Sequence, residues 1–158
     1  MAHPKDVGDR TTLAAMLALR DTGFAVFIPF GENTRCDLMI DDGTRIARVQ
    51  CKTGRLRAGA VRFAVCSHYR HHRLPRVAQR DYHGEVDYFA VHCPETSAVY
   101  LVPIGDLPVK SWAALRVDPA RNNQARRIRK AADYEICRVS VRTKAKLRES
   151  SGAPAPSA

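Results

Sequence analysis

Three residues of this chain stand at a spacing that can act on an anionic ester: Asp37, Gln50 and Lys52. Asp37 offers the hard, charged oxygen that Mg²⁺ prefers, and Gln50 a neutral, weaker carbonyl oxygen. Lys52 can lower the pKa of an attacking water or neutralise charge as it develops. Phosphodiester hydrolysis calls for such a set: a cation on a non-bridging oxygen, a water aligned for in-line attack, and relief of charge in the pentacovalent state. A plainer description fits too. The three can simply belong to the solvated face of a half-exposed hairpin.

A hairpin is what brings them together. Strands over Cys36–Asp41 and Thr44–Lys52 flank Asp42-Gly43, a strong two-residue turn signal. That turn pairs 41 with 44, 38 with 47 and 37 with 48. One face then carries Leu38, Ile40, Ala47, Val49 and Cys51, all apolar. The other carries Asp37, Met39, Asp41, Ile46, Arg48, Gln50 and Lys52, mostly polar. A slip of one residue inverts both sets, whereas a longer turn of even length keeps them. Asp37 and Gln50 come out diagonal, roughly 7–8 Å apart by backbone.

Around the hairpin the pattern predicts a helix over Asp9–Thr22, with Asp9 as its N-cap and Gly23 as its stop. Leu13, Met16 and Leu17 recur at helical spacing while Ala14, Ala15, Ala18 and Leu19 fill other faces, which reads as a helix sandwiched inside the fold. The apolar run Phe24–Phe30 suits a strand buried on both faces. Further strands are expected at Ala60–Val65, Val86–Cys93 and Ala98–Ile104. Between them Ser67–Gly84 is polar, rich in His and Arg and interrupted by Pro75, too long for an idle connection. A second helix should start at Asn122 or Asn123 and run to Tyr134. Ser150–Ala158 has no core-forming residue and reads as a disordered tail.

The 158 residues make one domain, expected over 1–149. No apolar run approaches the ~18 residues of a membrane helix. The start lacks the flank and apolar stretch of a secretory signal, so a cytoplasmic protein is expected. Cys36, Cys51, Cys66, Cys93 and Cys137 are scattered with no CxxC pair, which points to buried thiols rather than disulfides or zinc. No Ser/His/Asp set, phosphate-cradling glycine loop or dinucleotide fingerprint is present.

Net charge is +10, and its placement matters more than its size. Between Arg116 and Arg148 eleven Lys/Arg face three acids, a local excess of +8, while the remainder holds 15 basic and 13 acidic residues. Such polarity points to a polyanionic partner, nucleic acid being the commonest.

Helix, strand, then a hairpin bearing Asp37…Gln50-x-Lys52 resembles the core order α-β-β-β of the PD-(D/E)XK nuclease superfamily, with Gln in place of the third-strand acid. The branch it looks like is the intron-encoded homing endonucleases with a D…QxK motif. The stretches that carry the likeness are Gly8-Asp9, Pro29–Leu38, Arg48–Arg55, Tyr82–Phe89, Tyr100–Ile104 and Arg121–Gln124. The resemblance implies an α/β (α+β) fold, a restriction-endonuclease-like mixed central sheet flanked by helices. It implies a DNA endonuclease dependent on Mg²⁺ or Mn²⁺, with Asp37, Gln50 and Lys52 catalytic and Asp37 and Gln50 on the metal. Double-stranded DNA is the implied partner, and a homodimer or homotetramer is expected, since cutting both strands takes two sites. Arg35, Arg48, Arg55, Arg121, Arg126, Arg127, Arg129 and Lys130 are the candidate DNA contacts, with a basic helical region over 121–148 and the Ser67–Gly84 stretch gripping the duplex. One departure stands out. The family's first-helix Glu falls at Thr12, leaving Glu32 or Asp9 as replacement ligands, Asp9 with its N-cap duty competing. The alternative is therefore a catalytically impaired DNA-binding protein that retains the fold.

Overall fold

The structure is a computed structural model and describes residues 3–31, 34–41, 43–70, 77–119 and 128–136. The chain begins with helix α1 (Pro4–Asp21), followed by strands β1 (Ala25–Phe27), β2 (Leu38–Asp41) and β3 (Ile46–Thr53). Then come β4 (Arg55–Arg57), β5 (Ala60–Ala64), β6 (Cys66–Arg70), β7 (Val77–Asp81), β8 (Tyr88–Cys93), β9 (Ala98–Pro103) and β10 (Trp112–Arg116). Short 3₁₀ turns occupy Ile104–Asp106 and Ala131–Asp133.

The central sheet has the order β1-β2-β3-β8-β9. It is mixed: β3 and β8 run parallel, with Gln50 beside Phe89, and every other pair is antiparallel. Alternation along the strands sorts its side chains into two cores. Leu38, Ile40, Ala47, Val49, Cys51, Ala90 and Leu101 meet Ala15 and Leu19 of α1. Phe89, Val91, Tyr100 and Val102 face the other way and pack on Val61, Phe63, Ala113 and Leu115, from a small sheet of order β10-β5-β4. The layers are thus helix, sheet, small sheet. This is the expected restriction-endonuclease-like α-β-β-β core; among the described residues a sheet rather than a second helix covers the far face.

Several expectations change in detail. Helix α1 starts at Pro4, and His3 is its N-cap, its ring nitrogen accepting from the Lys5 N–H at 3.3 Å. Proline at the first helical position presets φ, so the helix begins more than a turn earlier than the apolar pattern announces. Only one side of α1 meets the sheet, leaving Leu13 and Leu17 64% and 65% exposed instead of sandwiched. The apolar run after it forms only a three-residue strand at the sheet's edge among the described residues, with Ile28 and Phe30, past its end, exposed. Ser67–Gly84 is no plain loop: Cys66↔Asp81 through Arg70↔Val77 pair as an antiparallel ribbon. Residues 71–76, with His71, His72, Arg73, Pro75 and Arg76 among them, lie outside the described residues.

The expected second helix is absent from its described part. Lys130 is extended (ψ 131°) and bridges to Arg116 in parallel, and a single 3₁₀ turn follows. The Arg116 N–H bonds the Arg129 carbonyl at 2.7 Å, so the chain here borders β10 as strand-like backbone. The remainder of the basic region, and the tail over 150–158, lie outside the described residues.

Candidate active site

The β2–β3 loop spans four residues, not two, and the register is Leu38↔Val49, Met39↔Arg48, Ile40↔Ala47, Asp41↔Ile46. The shift is even, so both faces survive, with the apolar set on α1 and the polar set opposite. Its effect is on the site. Carried one residue further, the register puts Asp37 directly across from Gln50 instead of diagonal to it. The Asp37 N–H indeed bonds the Val49 carbonyl at 3.0 Å.

Asp37 stands just before β2, where its carboxylate can turn into the plane of the sheet. Oδ2 accepts from the Gln50 side-chain amide at 2.5 Å and from the Cys51 backbone N–H at 2.8 Å. Burial raises the Asp37 carboxyl above its ordinary value; the Cys51 N–H, the Lys52 charge and the Gln50 amide pull the other way. The other Asp37 oxygen, Oδ1, is a hard anionic donor of the kind a divalent cation takes. Gln50 gives its nitrogen to Asp37, which leaves its carbonyl oxygen to present elsewhere.

Backbone direction supplies a further oxygen that side-chain patterning cannot reveal. Val49 and Cys51 direct their peptide groups toward β2, as their bonds to Asp37 show. The Cys51 carbonyl lies on that same strand edge, past the point where β2 begins. Asp37, Gln50 and this carbonyl are oxygen donors that could hold a hard divalent cation. Its signal in the sequence was the position between Gln50 and Lys52, whatever residue fills it.

Lys52 shares the face of Gln50, two residues on. Its ammonium donates to the Cys66 carbonyl (3.3 Å) and the Tyr82 hydroxyl (3.2 Å), and lies 4.6 Å from the Tyr82 ring centroid. Two of its three N–H donors are thus used within the fold, leaving one. Both acceptors belong to the root of the β6–β7 ribbon. Tyr82 was legible only as part of a resembling stretch.

The helix approaches from the other face. Thr11, the one buried polar residue among those described, shares a 2.6 Å hydrogen bond with Thr53 at the end of β3. Thr12 donates to the Gly8 carbonyl at 3.2 Å and also touches the Cys51 thiol, which burial pushes up to about 12. The first half of α1 therefore rides over the strand that carries Gln50 and Lys52. Asp9 lies one turn before Thr12 on that side, exposed, and capping does not occupy it, because His3 performs that task. Glu32 lies outside the described residues, and no cluster of three His, Cys, Asp or Glu exists among those described. Cys36, Cys51, Cys66 and Cys93 are buried, consistent with thiols that serve packing.

The candidate DNA contacts divide. Arg35 turns inward: it pairs with Glu85, bonds Ser67 Oγ (3.1 Å) and the Asp81 carbonyl (2.7 Å), and stacks 4.2 Å from the Tyr82 centroid. It braces the ribbon's root instead of standing free for phosphate. Arg129 is likewise drawn in, Nε donating to the Asp106 carbonyl at 2.6 Å. Arg48 lies on the site face, half-exposed, 3.5 Å from Asp87. Arg55 and Lys130 are exposed. Arg121, Arg126 and Arg127 fall outside the described residues.

Comparison with known proteins agrees with this fold. A solved structure described as that of a bacterial homing endonuclease, I-Ssp6803I, superposes with a TM-score of 0.73 at 18% identity, covering 94% of this chain and 99% of that one. At that identity the likeness is one of fold. No curated protein matches the chain. A family model described as PD-(D/E)XK endonuclease matches residues 2–137, which include Asp37, Gln50 and Lys52 and the strands that converge on them, and the chain belongs to that family.

Proposed function

We propose that the protein is a Mg²⁺- or Mn²⁺-dependent endonuclease, homing-endonuclease-like, that hydrolyses phosphodiester bonds in double-stranded DNA. The observation that carries this reading is the Asp37 carboxylate, desolvated and held by Gln50 and Cys51, with the Lys52 ammonium two residues further along the same face. Asp37 Oδ1, the Gln50 amide oxygen and the Cys51 carbonyl would hold the divalent cation, with Asp9 or Glu32 as candidate additions. When bound, the cation supplies Lewis-acid polarisation of a phosphoryl oxygen. Lys52 sets a fixed positive charge where negative charge accumulates, and Tyr82 and Cys66 keep it from wandering. Arg48, on the same face, suits a neighbouring phosphate.

Incubating supercoiled plasmid with the protein and Mg²⁺ or Mn²⁺ tests the reading. Nicking should appear, vanish with chelator, and fall by roughly 10²–10³ in Lys52→Ala, as for loss of one preorganised charge donor. Nicking that survives Lys52→Ala unchanged places the chemistry elsewhere. Double-strand cutting then calls for a homodimer or homotetramer, checked by sedimentation, and a nucleoid-associated location in the cytoplasm suits the substrate.

One observation favours a second reading, a DNA-binding protein whose chemistry has decayed. Thr12 spends its hydroxyl on the Gly8 carbonyl and brings no carboxylate to the site. On this reading wild-type protein binds DNA in a salt-sensitive way without cutting it, and Thr12→Glu restores nicking. Robust wild-type cleavage eliminates it.

A further inference from the structure

Sheet β10-β5-β4 has an inner face of Val61, Phe63, Ala113 and Leu115 and an outer face that nothing in the proposed chemistry uses. Cross-strand partners share a face, so the outer one can be read from the register. One row runs Arg55, Arg62, Ala114; the next runs Arg57, Ala60, Arg116 and, across the parallel bridge, Lys130. Trp112, paired with Ala64, stands beside them, 56% exposed. Five cations therefore line one face, and no acid occupies any position in these rows. Two carboxylates stand at the margin: Glu95, 3.8 Å from Arg55, and Asp118, beside Gly59.

This arrangement works against stability. Arg55 and Arg62 are directly opposite each other on neighbouring strands, and like charges so placed repel. Strand spacings of ~4.8 Å carry the longer row across about 15 Å, enough to meet several phosphates of a duplex. The platform is also tied to the site. Residue Gly54 alone separates β3 from β4, so Lys52 and Arg55 are three residues apart, about 10 Å of extended chain.

We infer that the outer face of the β4–β5–β10 sheet, with Arg55, Arg57, Arg62, Arg116 and Lys130, is a docking surface for the phosphate backbone of the DNA duplex that enters the active site. The inference rests on DNA being the substrate, but not on cleavage. Positive charge with acids only at its margin matches a polyanion, and contact through phosphates gives affinity without sequence.

Binding of a short duplex, measured in chelator so that no cutting occurs, tests it. In wild type, the emission of Trp112, the chain's single tryptophan, should change on titration with DNA. Arg57→Ala with Arg62→Ala should lower the slope of log affinity against log salt by about two and weaken binding roughly ten- to fifty-fold near 0.1 M salt. Arg57→Lys with Arg62→Lys should restore the slope, which a merely structural loss would not allow. An unaltered slope in the alanine pair, or Trp112 emission indifferent to bound DNA, overturns the platform. Failure of the wild type to nick, with these binding results intact, overturns the nuclease reading and leaves the platform standing.

Discussion

Lys52 Nζ lies 3.2 Å from the Tyr82 hydroxyl and 4.6 Å from the centroid of the same ring, so one aromatic residue both accepts a hydrogen bond from the ammonium and offers it a π face. Arg35 lies against that ring as well, 4.2 Å from its centroid, and the ring packs edge-on to Phe89. The lysine is thereby held by the segment that closes the β6–β7 ribbon. Tyr82→Phe removes the acceptor and keeps the ring. It should lower kcat for nicking about tenfold with KM nearly unchanged, as expected when a reacting group loses its alignment. Single-turnover nicking checks this, and a kcat equal to wild type would show that the hydroxyl does not position the lysine.

Asp37 costs the metal-free fold stability. Burial is the first cause of its raised pKa, so the folded state favours the protonated form more than the unfolded chain does. The penalty is absent below the unfolded pKa and complete above the raised folded one. Asp37→Asn should therefore melt higher than wild type at neutral pH in chelator, with the advantage shrinking on acidification and on adding Mg²⁺ to the wild type, while nicking is lost. Thermal melts across pH test the sign; a variant less stable than wild type at neutral pH would contradict it.

Asp9 is exposed in the second turn of α1 and relieved of capping by His3. If it completes the metal set, Asp9→Asn raises the Mg²⁺ concentration for half-maximal nicking by roughly tenfold, in the range for loss of a supporting group at a metal centre. A metal titration of the nicking rate decides the matter. An unmoved midpoint transfers the role to Glu32, whose own substitution then should move it.

Gly54 marks the point where the chain leaves the central sheet for the small one. A Cβ there would stand 2.6 Å from Val61 Cγ1 and 3.0 Å from Val91 Cγ1, inside both contacts. Overpacking of this kind costs about 1–3 kcal/mol, and Gly54→Ala should lower Tm by roughly 3–8 °C. Adding Val61→Ala should recover part of the loss, since it removes the nearer methyl. Calorimetry of the two variants distinguishes a steric cause from a backbone one.

Glu85 is held below the ordinary carboxylate range, first by Arg35 and then by Arg80. A lowered folded pKa contributes stability above the unfolded value, about 4.3, and that contribution fades as pH falls through the folded one. Glu85→Gln should accordingly show a shallower fall of Tm between neutral and acidic pH than wild type does. Parallel curves would mean that the pair is fully screened by solvent.

Much of the site was legible because the evidence for it is local. Alternation with period two assigned Asp37, Gln50 and Lys52 to one face of a hairpin, and an even change in turn length cannot undo that. For α1 the pattern pointed to the wrong side: Leu13 and Leu17, at helical spacing, are exposed, while Ala15 and Leu19, expected on other faces, meet the sheet. What the residues alone did not disclose depends on neighbours distant in the chain. The run Phe24–Phe30 looks the same whether it enters a sheet's centre or its edge, and only the strand order exposes Phe30. Trp112–Arg116 and Arg55–Arg57 carry no strand signature of their own; pairing with β5 makes them one. His3 took the cap from Asp9 because Pro4 lets the helix begin sooner. The juxtaposition of Asp37 with Gln50, the clasp of Tyr82 on Lys52 and the row of facing arginines are all cross-strand relations. Composition and period determine which side of an element a residue takes, whereas register and sheet order, set by long-range hydrogen bonding and core packing, decide whom it meets there.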